Sequence, residues 1–326
     1  MIAPLGYARV WRFRHPEPDE GSGLSLSPQG RRGYFEPACM NATLSLGCYL
    51  GHTSMNLFVR LSTALALFGL SLAIANAQDN YEIQVYGSDM VATRTTMVEI
   101  HSNFTADGSK TIVEGMLPTN HAEHETLEIT QGINEWAEVG FYVFSSIQPS
   151  QGWEWVGDHI RPRVRVPGKW HWPVGVSLSN EIGYQRAAFS PDTWTWEIRP
   201  IVDRKIGRWY LDFNPTLDRS FHGPGVNKGV EFSPNVKFSY DITKKIAGGL
   251  EYYASYGSLS GFDPLRDQEQ QFFPTIDVDF GPEWEFNLGV GIGATRSTDH
   301  LIVKCIVGRR FSWPHGKSAT LKNSVP

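Results

Sequence analysis

Cysteine is nearly missing from this 326-residue chain, which has three. Cys39 and Cys48 lie ahead of an export signal read below, so Cys305 stands alone after it. No internal disulfide can brace that part, and its stability must come from the fold. Helical periodicity is scarce as well: after residue 78, apolar residues almost never recur at the i, i+3, i+4 spacing of a helix face. Positive charge is in deficit. Six of the 29 Lys and Arg and four of the 34 Asp and Glu precede residue 78, which leaves 23 against 30, a net charge of −7. An acidic balance gives no support to nucleic-acid binding. Disorder is excluded by the 41% hydrophobic and 19% charged content.

Aromatics, by contrast, are plentiful at 13%, with 11 Trp. Trp and Tyr pair an apolar body with a polar edge and suit a membrane–water boundary. The strongest local signal begins at Met55. Arg60 supplies a positive charge, Leu61 to Ala75 is almost wholly apolar, and Ala75-Asn76-Ala77 puts small residues where a signal peptidase reads. This is a secretory signal over 55–77, and its apolar run falls short of the roughly 20 residues of a membrane helix. No Cys follows the cleavage site, so no lipoprotein anchor is expected. Residues 1–54 are rich in Pro, Gly and Arg, and a signal has to lead the chain. Translation is therefore expected to begin at Met55, with 1–54 a mis-assigned extension.

From residue 78 onward, period-2 alternation dominates. In Trp284 to Thr295, the residues Trp284, Phe286, Leu288, Val290, Ile292 and Ala294 share one face. In Val230 to Asp241, the apolar face is Val230, Phe232, Pro234, Val236, Phe238 and Tyr240. Such runs reach the roughly 9–11 residues with which a tilted strand crosses a bilayer. The same template predicts about a dozen strands, near 95–105, 124–134, 136–147, 154–166, 172–185, 193–204, 208–219, 229–241, 245–256, 269–280, 284–295 and 300–311. Tight turns at 205–207, 243–245 and 281–283 alternate with long connections at 105–123, 221–229 and 257–268, the rhythm of outer-membrane barrels. Trp153, Trp155, Trp170, Trp172, Tyr240, Tyr256 and Trp284 fall near strand ends, as aromatic girdles would. The competing reading of alternation is a soluble β-sandwich or barrel with its apolar face inward. Pro162, Pro200, Pro215, Pro234 and Pro274 all fall inside strands on the apolar face. Proline cannot donate to a ladder, so bulges are expected there, or else strands that stop short.

The last strand alternates Leu301, Val303, Cys305, Val307 and closes on Phe311. It resembles the C-terminal signal by which bacterial outer-membrane proteins are taken up by their assembly machinery, although a tail, 312–326, follows the Phe here. Segments Tyr81–Ser88, Gly157–Arg163 and Ser297–Leu301 resemble a group of uncharacterised bacterial outer-membrane proteins. A more distant similarity is to channels found beside aromatic-degradation pathways, which implies small-molecule passage.

Catalytic and metal chemistry is thin. Asp158-His159 and Asp299-His300 place neighbours on opposite strand faces, with no Gly-x-Ser-x-Gly nearby. His121, Glu123, His124 and Glu125 cluster in what reads as a solvated polar loop, without a second cluster to complete a metal site. No catalytic residue, metal or cofactor is therefore expected. The best functional candidates are the row Arg161, Arg163 and Arg165, with the carboxylates Glu197, Asp203, Asp212 and Asp218 on the following strands to balance it, and Arg199 on the same lumen face. Two readings are open: an internal salt-bridge network, or a constriction that selects anionic solutes.

The sequence thus predicts an all-β protein, a transmembrane antiparallel barrel of about 12 strands over 78–311, in the bacterial outer membrane and in contact with its lipid. The leading function is a narrow channel for small solutes. The alternatives are a plugged structural or ligand-binding barrel and a soluble exported β-protein.

Overall fold

Alternating apolar and polar residues in runs of ten or more cannot settle as helices, and in the computed structural model they form strands. The structure describes residues 80–113 and 115–313, so the expectations for 1–54, 55–77 and most of the tail lie outside the described residues. Twelve strands follow in order: β1 (Thr95–Asp107), β2 (Glu123–Asn134), β3 (Ala137–Gln148), β4 (Gly152–Arg165), β5 (Gly175–Gln185), β6 (Trp194–Ile206), β7 (Trp209–His222), β8 (Val230–Asp241), β9 (Ile246–Ser255), β10 (Glu269–Val278), β11 (Trp284–Gly293) and β12 (Leu301–Ser312). Each pairs antiparallel with its neighbours in sequence, and β1 pairs with β12 from Thr95↔Ser312 to Asp107↔Leu301, which closes the barrel. Closure leaves no edge strand, so every ladder has a partner.

The hairpins alternate between two ends. At one end, which also holds the start of β1 and the end of β12, lie the connections 135–136, 207–208, 242–245 and 279–283. Gly207, with φ of 61°, makes the two-residue turn possible. At the other end lie the longer connections 108–122, 223–229 and 256–268. We call these the turn end and the loop end. The rhythm is broken once on each side, by the short 149–151 at the loop end and the nine-residue 166–174 at the turn end.

The side chains are arranged inside out relative to a water-soluble protein. Phe213, Leu250, Ile276 and Leu288 are 41–48% exposed on the outer wall, whereas Lys304, Glu128 and His101 are fully buried inside. An apolar outer surface around a charged interior satisfies each face only if lipid surrounds it, and the soluble alternative does not fit. Aromatic rings mark both rims. Trp153, Tyr184 and Trp194 stand at the loop end, and Trp136, Trp209, Tyr240 and Trp284 at the turn end.

The five prolines do not mark bulges, contrary to expectation. Register runs unbroken through Pro162, Pro200, Pro215, Pro234 and Pro274. The shifts fall elsewhere, at Thr105/Asp107, Gly132/Asn134, Phe144/Ser145 and Trp194/Thr195. A proline removes one donor from one ladder, so the pairing simply skips it. The β4–β5 pairing skips from Ile160 to Arg163, and the β10–β11 pairing from Phe272 to Thr275. Pro215 and Pro234 sit opposite each other, so one site absorbs both losses.

Candidate functional site

The lumen is not empty. Residues 80–94, which lie ahead of β1, run from the loop end to the turn end through the barrel. Alternation sets how this segment is gripped. Tyr81 packs with Tyr142, Phe144 and Val156 of the wall, and Ile83 and Val85 pack with Tyr253, Phe273 and Ile302. Burying side chains of this size contributes about 1.5–3 kcal/mol each. Ahead of Arg94 the segment pairs with no strand, and its backbone is bonded by side chains from around the wall. Asn103 donates to Asn80 O at 2.9 Å, Thr126 to Tyr81 O at 2.6 Å, and Lys304 to Ile83 O at 3.0 Å. Asn214 brackets Tyr86, accepting from its N–H at 2.9 Å and donating to its carbonyl at 3.0 Å. Arg163 donates to Asp89 O, and Val91 N–H donates to Glu138 at 2.7 Å. At Gly132 a Cβ would meet Ala92 O at 2.2 Å, so only glycine lets the segment lie this close to β2.

The charged wall residues form a buried network around this segment. Arg161 holds Glu128 at 2.5 Å, and its guanidinium lies 4.4 Å from the centre of the Tyr86 ring. Arg199 reaches the same ring at 5.0 Å and pairs with Glu197 at 2.7 Å and Glu82 at 3.4 Å. Tyr86 is thus flanked by two arginines, a cation–π arrangement favoured where water is excluded. Arg163 pairs with Glu138 at 3.1 Å and Arg165 with Asp89 at 3.1 Å. A second centre joins Lys304 and Glu251, with Lys237 at 3.1 Å from Glu251 and 2.9 Å from Asp277.

All eight candidates from the sequence face the lumen. Arg161, Arg163, Arg165 and Arg199 each meet a carboxylate. The expected balancing partners are not the ones found. Glu128 and Glu138, on the strands before β4, and Asp89 of the segment neutralise the arginine row. Of the carboxylates expected to do so, Glu197 serves Arg199, and Asp203 and Asp212 accept from the Tyr210 hydroxyl at 3.0 and 3.2 Å. Asp218 faces the loop-end half of the lumen. The reason is register: Glu138 sits directly opposite Arg163 in the β3–β4 ladder. The expected acids stand on β6 and β7, two and three strands around the wall from β4.

The histidines behave as wall residues. His159 lies 2.5 Å from Glu181, while Asp158 points outward to Trp155. Asp299 ties the loop end together, accepting from Thr119 at 2.6 Å and Asn80 at 2.6 Å. His124 is not in a solvated loop: it is buried on β2, edge-on to Tyr81 at 4.8 Å. Among the described residues, no group of three His, Cys, Asp or Glu is placed to hold a metal ion.

Polar chambers lie on both sides of the threaded segment. The turn-end chamber has a volume of about 270 Å³ and is lined by Glu99, Glu138, Lys237, Glu285 and Arg310. The loop-end chamber has a volume of about 240 Å³ and is lined by Glu181, Glu197, Asp218, Glu231 and Ser233. Strand alternation alone does not reveal the threaded segment. The missed signal was Tyr142, Phe144, Tyr253 and Phe273, large apolar residues on the lumen parity of their strands. They have a place there because something apolar lies inside.

A closed 12-strand antiparallel barrel with an apolar outer belt and a polar lumen is the architecture of bacterial outer-membrane proteins. Solved structures with a similar fold include an outer-membrane channel from Pseudomonas putida F1, with 8% identity, 71% of this chain and 100% of that chain covered, and a TM-score of 0.49. They also include the KdgM porin, with 9% identity, 67% and 99% covered, and a TM-score of 0.41. The outer-membrane protein Omp33 of Acinetobacter baumannii shows 11% identity, 68% and 100% covered, and a TM-score of 0.37. At these identities the likeness is one of fold alone. No family model matches the chain, and no curated protein matches it in sequence.

Proposed function

We propose that the protein is a narrow outer-membrane channel for small solutes, with residues 80–94 forming its constriction. One observation carries the reading: a closed, lipid-facing wall encloses polar chambers on both sides of a single threaded segment. Between the chambers lie Tyr86 and its two arginines, so passage is limited to small polar species or depends on a shift of the segment. The second reading, a plugged barrel without transport, is favoured by the burial of Tyr81, Ile83 and Val85. Neither reading assigns a catalytic role to the Asp-His pairs.

Single-channel recording on the refolded chain from residue 78 separates the two. Conduction is expected from the full mature chain, and a larger conductance from a variant lacking residues 80–90. Silence from both would support the plugged barrel and overturn the channel. Processing after Ala77 is part of the same proposal. Assembly machinery is a further proposed partner, since β12 carries Phe311 next to its last residue at the turn end and seals the barrel there against Thr96.

A further inference from the structure

Four carboxylates stand side by side in the loop-end chamber. Glu181 of β5 is opposite Glu197 of β6, Glu197 is opposite Asp218 of β7, and Asp218 is opposite Glu231 of β8. All four line the chamber. Neighbouring strands lie about 4.8 Å apart, so the row extends about 14 Å around the wall. Like charges placed directly opposite each other destabilise a sheet, and the countercharge here is sparse. Arg199 is shared between Glu197 and Glu82. Lys228 stands 3.6 Å from Glu231, and Ser233 bonds Asp218.

Glu181 supplies an independent observation. It is 6% exposed, and its Oε1 meets His159, but its Oε2 has no hydrogen-bond partner although it is buried. A buried carboxylate oxygen without a donor costs free energy unless something arrives to satisfy it. The donor it calls for is cationic, because seven carboxylates and one arginine line this chamber. A single metal ion does not suit it, because the acids lie in a row and no three are grouped for coordination among the described residues.

We propose that the loop-end row binds a linear oligoamine, with one ammonium group donating to Glu181 Oε2 and the others lying along the rest of the row, Glu197, Asp218 and Glu231. Ammonium groups three or four methylenes apart repeat at close to the strand spacing, so one extended chain meets successive acids. This deepens the channel reading, on which it rests, by naming the solute class that enters from the loop end.

Spermidine is the probe. Titration calorimetry on the refolded mature chain should show saturable binding, weakened about tenfold by Glu181→Gln, the loss expected for one charge-assisted bond. Asp218→Asn should weaken binding in the same way, and it serves should the first variant not fold. Glu283→Gln, at the exposed turn end, should leave binding unchanged. Spermidine added from the loop side should also block conductance in the parent and less so in Glu181→Gln. Absence of spermidine binding, binding unaltered by both chamber variants, or equal affinity for calcium overturns the oligoamine site. A conducting protein that ignores spermidine leaves the channel standing without the site, and binding to a non-conducting barrel leaves the site without the channel.

Discussion

At the scale of single residues, the interior depends on charge pairs that cannot be broken one at a time. Lys304 is fully buried and donates to Glu251, to Tyr253 Oη at 3.2 Å and to the Ile83 carbonyl. Removing one partner of a buried pair leaves the other charge uncompensated, at a typical cost of about 3–5 kcal/mol. Lys304→Met is expected near the lower end, about 3 kcal/mol, because Lys237 still stands beside Glu251. Urea titration of the refolded barrel in detergent reads this directly. A midpoint equal to that of the parent would mean that Lys304 holds neither Glu251 nor the threaded segment. The lumen parity of such residues was legible in the sequence, since strict alternation fixes it. Their pairing was not. Arg163 finds Glu138 because the β3–β4 hairpin sets that register through an irregularity at Phe144/Ser145, which no pattern of alternation reveals.

At the scale of elements, the strands were legible and the threaded segment was not. All twelve strands fall within a few residues of their expected places, because a tilted strand in lipid must be long and its outer face uniformly apolar. Residues 80–93 alternate too, yet they pair with no strand: backbone groups there bond to side chains of Asn103, Thr126, Asn214 and Lys304, scattered over the sequence. The same division predicts how the two faces respond to charge. Leu288, midway along β11, is 41% exposed on the outer wall. Arginine there meets hydrocarbon, and Leu288→Arg should destabilise by about 2–4 kcal/mol in bilayers. On the lumen face the charge of Lys304 is met by Glu251. Equilibrium unfolding in phospholipid vesicles measures the change, and a cost near zero would place that face in water.

At the scale of the whole molecule, stability and membrane residence both rest on closure. The seam between β1 and β12 is held over its full length, with Thr96↔Phe311, Val98↔Arg309 and Ile100↔Val307 among its pairs. Trp313 extends it, donating from its indole to Thr96 Oγ1 at 2.8 Å and from its backbone N–H to Arg94 O at 3.0 Å. In lipid an unpaired backbone group has no water to turn to and costs several kcal/mol. A chain ending at Val307 loses the partners of Thr95 through Glu99 on β1, and those of Trp284 and Glu285 on β11. Five residues on one strand are then opened to hydrocarbon at once, far more than the margin of about 5–15 kcal/mol by which folded domains are stable. A chain ending at Trp313 keeps every one of these pairs. Heat-modifiable migration on gels should therefore persist for the chain ending at Trp313 and vanish for the one ending at Val307. Retention of the folded band by the shorter chain would show that the barrel closes without the last turn of its seam.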